Sequence, residues 1–198
     1  MKTAFLILAT LGVFVIPTQE TFTTDAEGFI RNWLVLAPIG INGDSGATEI
    51  HHDFLNGEAK VKPKADDKAT IGASTMTWKA HRTSDFFIDF RASFDPNGGE
   101  YVAGYAVTYV LADAPMNLTL ALGTNDQGEA WLNGKEIFVL EETRVLEKDS
   151  DRLPVALVQG KNVLVLKVIN EVNNWQACAR FFRGESPVTN LKISLTPQ

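Results

Sequence analysis

Asn125 and Asp126 form the adjacent pair best suited to holding a polar ligand. A carboxylate beside an amide accepts hydroxyl protons from a saccharide. The same oxygens are hard donors for Ca²⁺, which makes Asp126 the candidate metal ligand. The competing account is an Asx-type turn, in which both side chains only satisfy nearby backbone groups. Trp78, Trp131 and Trp175 are the next candidates. An exposed indole stacks on the apolar face of a pyranose while a polar neighbour fixes its orientation. Trp175 directly follows the polar stretch 170–174, which suits a loop rim. Packing competes for all three, because tryptophan is highly buried on average. Burial of all three would remove the stacking platform and favour a structural or protein-interaction role. Arg180 shares a strand with Trp175, and its rigid fork of donors suits either a ligand or a simple ion pair.

Other reactive groups lead less far. His51-His52-Asp53 invites a metal reading, but neighbours on a strand point to opposite faces and the spacing matches no zinc motif. Neither a G-x-S-x-G elbow nor an H-E-x-x-H helix signature is present. The acidic groups Asp66-Asp67, Glu141-Glu142 and Asp149-Ser150-Asp151 lie in charged, loop-like segments and read as solvated faces. Cys178 is the one cysteine, so no intramolecular disulfide forms, and its setting in WQACARFF suits a small core residue. These observations point away from an enzyme.

The elements that position these groups are strands. Residues 118–138, LTLALGTNDQGEAWLNGKEIF, alternate as a half-buried strand, break at 124–128, resume, and break again at Asn133-Gly134. Asn-Gly is a strong hairpin signal, since both central residues of a type I′ turn need positive φ. The spacing predicts three short strands, with the polar loop and the hairpin close together at one sheet edge. Further strands are expected over 29–36, 75–79, 86–90, 101–111, 153–158, 162–169, 175–182 and 191–195, the last beside the N-terminal strand. Residues 51–67 read as mostly irregular, and 141–152 as a loop. About ten short strands without an amphipathic helix predict an all-β protein, an antiparallel β-sandwich or barrel.

Composition sets the remaining bounds. The chain has 198 residues, 45% hydrophobic and 21% charged, which suits one domain over 21–198. A net charge of −6 argues against nucleic acid as partner and against docking to anionic membrane. The start, MKTAFLILATLGVFVIPTQE, has a positive n-region at Lys2 and an apolar run too short to span a bilayer comfortably. It predicts an export signal over 1–20, a secreted or periplasmic domain, and no membrane insertion after cleavage.

Three segments together carry a family resemblance. FIRNWLVLAPI, LALGTNDQGEAWLNGKEIF and VALVQGKNVLVLKVINEVNNWQACARF are similar to the opening, central and closing segments of exported bacterial β-modules. The chain resembles a galactose-binding-like jelly roll, as in the sugar-binding domain of β-galactosidase-type glycoside hydrolases, with a weaker likeness to PA14-type lectins. Those lectins hold Ca²⁺ and sugar with two adjacent Asp residues, where this chain has Asn125-Asp126. The resemblance implies a jelly-roll sandwich and a non-catalytic carbohydrate-binding module. Its partner would be a glycan or cell-envelope polysaccharide, met through rim loops, with Ca²⁺ the one cofactor in view. The alternative is a structural or protein-interaction β-sandwich with a protein partner and no small ligand.

Overall fold

The structure, a computed structural model, describes residues 20–41 and 45–197. The expected export signal lies outside these residues except for Glu20. Along the chain the strands are β1 (Thr21–Thr23), β2 (Asn32–Gly40), β3 (Lys68–Ile71), β4 (Ser74–Thr77), β5 (Lys79–Arg82), β6 (Ile88–Asp89) and β7 (Val102–Ala112). There follow β8 (Met116–Asn125), β9 (Gly128–Leu132), β10 (Lys135–Leu140), β11 (Asp151–Leu157), β12 (Gly160–Asn170), β13 (Gln176–Arg183), β14 (Ser186–Pro187) and β15 (Lys192–Ser194). The helical pieces are short: α1 (Gly46–Glu49), α2 (Phe90–Phe94) and a 3-10 turn over Glu58–Lys60.

These strands form an antiparallel β-sandwich. The larger sheet runs β1-β15-β7-β12-β9-β10, with β2 pairing both β7 and β5. The smaller sheet runs β11-β8-β13-β14, with β6 against β13. Beside them, β3 and β4 form a small hairpin. The strand at 192–194 pairs with β7 and with β1, a short strand that precedes the first one expected from the sequence. Asn133 and Gly134 take φ of 53° and 81° and close the β9–β10 hairpin. The Ala37–Pro38 and Asn125–Asp126 peptide bonds are cis.

Alternation along the strands creates two cores. Val35, Ala106, Val110, Ala130, Leu164 and Leu166 of the larger sheet face Leu118, Leu120, Leu122, Ala177, Ala179 and Phe181 of the smaller one. The intervening residues Leu34, Leu36, Tyr105, Val107, Trp131 and Val165 point the other way, into a second core. Ile50, Phe54 and Trp78 cover that face, helped by half-buried Ala59 and Val61. The larger sheet is thus covered on both faces. That is why β7 and β12 read as continuous apolar runs. The irregular segment over 45–63 is a strap laid across this outer face. It has local order of its own: the Asp53 carboxylate accepts from the backbone N–H groups of Leu55 (3.0 Å), Gly57 (2.6 Å) and Glu58 (3.2 Å).

Two expectations need correction. The described residues hold fifteen strands, not about ten, because several paired pieces of two to four residues carry too little periodicity to read. The polar loop after β8 and the Asn133-Gly134 hairpin do not share one sheet edge. Strand β8 belongs to the smaller sheet and β9 to the larger, so Asn125-Asp126-Gln127 is a crossover between layers. The crossover and the hairpin sit at opposite ends of β9, about 17 Å apart at 3.3 Å per residue.

Candidate functional site

The crossover forms the floor of a cleft at the sandwich rim. Asn125, Asp126, Arg144, Glu171, Asn173 and Asn174 line it, together with Thr143, Val145 and Val172, around a volume of about 530 Å³. Three chain segments meet here: the end of β8, the loop after β10 and the loop after β12. Val145 and Val172 stand at its lips, 68% and 41% exposed.

The floor is rigidly wired. Asn125 Nδ2 donates to the Arg144 carbonyl at 2.8 Å. Arg144 reaches back, with Nη2 donating to Thr124 Oγ1 (3.0 Å) and to Asp151 Oδ2 (2.5 Å). The Glu171 backbone N–H donates to Asp126 Oδ2 at 3.1 Å. Glu171 Oε1 accepts from Gln127 Nε2 (2.9 Å) and from the Gly46 N–H (2.8 Å), which ties the strap to the same corner. Burial holds the Asp126 carboxyl above its usual range, and the Glu171 N–H opposes that shift. Like Gln127 Oε1, Asn125 Oδ1 stands outside this wiring. It is buried and has no hydrogen-bond partner among the described residues. Buried amide oxygens are ordinarily satisfied, so this acceptor marks a place where an outside donor gains most.

Of the six residues expected to bind ligand, the structure brings only Asn125 and Asp126 to this cleft. The three tryptophans are corrections. Trp78 is 3% exposed, Trp131 4% and Trp175 0%. Trp175 lies between the sheets, where its Nε1 donates to the Val168 carbonyl at 3.2 Å and its ring stacks on Phe90 at 4.9 Å. Trp78 and Trp131 lie in the second core, under the strap and the β3–β4 hairpin. The physical reason is the covering of the outer face for Trp78 and Trp131, and for Trp175 its direction into the core between the sheets. Arg180 stands on the smaller sheet, away from the cleft. It holds Asp149 with both branches of its fork, donates to the Glu27 carbonyl at 2.8 Å, and lies over the rings of Phe29 and Phe182. The Asp149 carboxylate beside it pushes its pKa up.

Ca²⁺ does not fit this donor set. The ion takes six to eight oxygens, whereas the Asp126 carboxylate faces backbone N–H donors from Glu171, Arg144 and Val172. Among the described residues, no three His, Cys, Asp or Glu side chains gather in a way that could hold a metal ion. His51 pairs with Glu141 at 2.9 Å on the surface, and the His52 ring rests edge-on against Phe54. Cys178 is buried, and burial pushes its thiol up to about 12.

Sequence reasoning missed a cluster of charge beneath the strap. Lys167, on β12, is fully buried. Its ammonium lies 2.7 Å from Glu58 Oε1 and 2.9 Å from Glu129 Oε2, and it donates to the His52 carbonyl at 3.2 Å. It also sits 5.3 Å from the centroid of the Trp131 ring. The Tyr105 hydroxyl donates to Glu58 Oε2. Burial raises the pKa of both glutamates and of Tyr105, with Lys167 pulling the glutamates back down. The sequence did hold a signal. A lysine inside VLVLKVIN, whose neighbours are buried on both faces, has no route to solvent.

No family model matches the chain, and no curated protein matches it. Among solved structures it is similar to Ruminococcus gnavus β-glucuronidase, with a TM-score of 0.44 and 14% identity over 86% of this chain and 30% of that one. It is also similar to the same enzyme in complex with uronic isofagomine, with a TM-score of 0.38 and 16% identity over 92% of this chain and 30% of that one. The chain therefore spans about 30% of the length of these structures.

Proposed function

We propose that this domain is a non-catalytic recognition module, exported from the cytoplasm, whose rim cleft engages a segment of another protein. The observation that carries this reading is the burial of Trp78, Trp131 and Trp175, which leaves no indole for a sugar to stack on. The cleft instead pairs apolar lips, Val145 and Val172, with an oxygen-rich floor. An extended polypeptide matches both features. Its backbone N–H groups donate to Asn125, Glu171 and Asn173, and an apolar side chain covers the valines. Loops fixed on a rigid sandwich are the usual place for such contacts.

A second reading keeps the glycan partner, held by hydrogen bonds alone. The unpartnered Asn125 Oδ1 supports it, since a saccharide hydroxyl is an equally good donor. One experiment separates the two. The mature domain, Val145→Asp and Asn125→Ala are used to capture partners from the native cell envelope and are titrated with a glycan panel, with and without Ca²⁺. The protein reading expects specific capture that Val145→Asp abolishes, and no glycan heat. Saccharide binding that Asn125→Ala removes and Val145→Asp spares would replace it with the glycan reading.

A further inference from the structure

A second groove lies at the other end of β12. It holds about 470 Å³, in the range of small-molecule sites. Lys60, Lys62 and Lys161 surround it, Val61 and Val163 provide apolar wall, and the Asn133-Gly134 hairpin closes one side. None of the described residues that line it is acidic. In a chain of net charge −6, three lysines around one groove are a local concentration of positive charge. Among the described residues, Lys60 and Lys62 make no ion pair.

The groove is also built rather than incidental. The Asn133 N–H donates to the Val163 carbonyl at 2.9 Å, and the Val163 N–H donates to Asn133 Oδ1 at 2.9 Å. Asn133 Nδ2 donates to Asn162 Oδ1 at 2.8 Å. The hairpin tip is therefore fixed to the sheet. It meets the strap closely: a Cβ placed on Gly134 would lie 3.4 Å from Lys60 Cγ. Lys161 Nζ is positioned by the Thr196 carbonyl at 2.9 Å. Only the distal parts of Lys60 and Lys62 remain to close on a ligand.

We propose that this groove binds a small organic polyanion bearing two or more phosphate or carboxylate groups. Lysine ammoniums are compact point charges that neutralise such groups without demanding a planar, two-pronged geometry. Repulsion between the Lys60 and Lys62 ammoniums, which make no ion pair among the described residues, is relieved when an anion sits between them. The hairpin side of the groove stands about 17 Å from the crossover along β9, at 3.3 Å per residue, and shares no lining residue with the rim cleft, so it stands independently of the function proposed above.

Isothermal titration of the whole domain with tripolyphosphate and with citrate, at low and high salt, tests this. We expect saturable binding of at least one of the two, with the stronger naming the phosphate or the carboxylate class. Affinity should fall as salt rises. Lys60→Ala/Lys62→Ala should weaken it by about tenfold, at an unchanged melting temperature. Lys62→Glu should weaken it further, while Lys148→Ala, at a surface lysine that pairs with Glu27, should not change it. Val145→Asp, which tests the rim cleft, should leave it intact. No binding of either anion, equal binding to Lys62→Glu, or salt-independent binding would overturn the proposal.

Discussion

Replacing Lys167 with methionine tests the logic of the buried cluster. Methionine preserves most of the side-chain volume and removes the one cation. Two carboxylates then face each other under the strap with only the Tyr105 hydroxyl to answer them. Removing one partner of a buried ion pair typically costs about 3–5 kcal/mol, because the remaining charge is left without compensation. For a domain of this size that is a drop in melting temperature of ~6–20 °C. The loss should depend on pH, and the sign follows from the direction of the shifts. Burial raises the folded-state pKa of Glu58 and Glu129 above the ordinary value of 4.5. A raised carboxyl favours the folded state at pH below the unfolded value, and that contribution is lost as pH rises through the folded value. Without Lys167 both values rise further, since its charge is what pulls them down. The penalty of Lys167→Met should therefore be large above neutral pH and small once pH falls below the ordinary carboxyl value of 4.5. Urea unfolding followed by tryptophan fluorescence at one pH in each range measures it. Adding Glu58→Gln and Glu129→Gln to Lys167→Met should recover most of the loss, since the neutral set carries no uncompensated charge. A loss under about 1 kcal/mol near neutral pH, the same loss at both pH values, or no recovery in the triple variant would refute this account.

Three further outcomes follow from the packing. Gly104→Ala places a Cβ 2.7 Å from Trp175 Cζ2 and 3.1 Å from Ala37 Cβ, so thermal melting should show an overpacking cost of about 1–3 kcal/mol. Arg180→Ala removes the two-pronged Asp149 contact and two ring contacts; denaturant melts should lose about 1–3 kcal/mol while partner capture at the rim cleft stays at the wild-type level. The Cys178 thiol, pushed up to about 12 by burial, should resist a thiol-specific disulfide reagent in the native protein and react fully in urea; fast labelling of the native protein would contradict its placement.

Where the sequence carried a local rule, it was legible. The alternation of Leu118, Leu120 and Leu122 marks one buried face, and all three lie in the core between the sheets. Asn133-Gly134 closes a hairpin because its backbone conformation suits few other pairs. LKISL reads as a strand, and Ile193 of that strand pairs with Phe22. What was not legible depends on tertiary layering. Nothing periodic announces that residues 45–63 lie flat on the outer face of a sheet, so Trp78 and Trp131 read as available for stacking when they are buried there. The turn formers at 124–128 mark a break correctly. Turn chemistry is the same whether the chain re-enters its own sheet or crosses to the other, and here it crosses. Arg180 had two readings from its type alone, and the choice needed Asp149, which is 31 residues away in the chain.

The strap explains why both candidate surfaces lie at the ends of the sandwich and why those ends are linked. With both faces of the larger sheet covered, the central side chains of β7 and β12 are withdrawn from solvent, and the two candidate surfaces lie toward the ends of β12. The strap is itself held at points that serve both candidate surfaces. Its first residues reach the rim cleft, where the Gly46 N–H donates to Glu171 Oε1. Its 3-10 turn divides by face: Glu58 points inward to Lys167, while Lys60, two residues on, lines the polyanion groove. A buried ion cluster is a poor source of net stability, because desolvation offsets most of its attraction. It is an effective source of register, since only one placement of the strap brings Glu58 to Lys167, the one buried ammonium among the described residues. A hydrophobic strap would adhere to the apolar outer face in several alignments. Lys167 selects the one that sets Gly46 at the crossover and Lys60 at the hairpin, so the charge hidden in the core fixes the geometry of both rims.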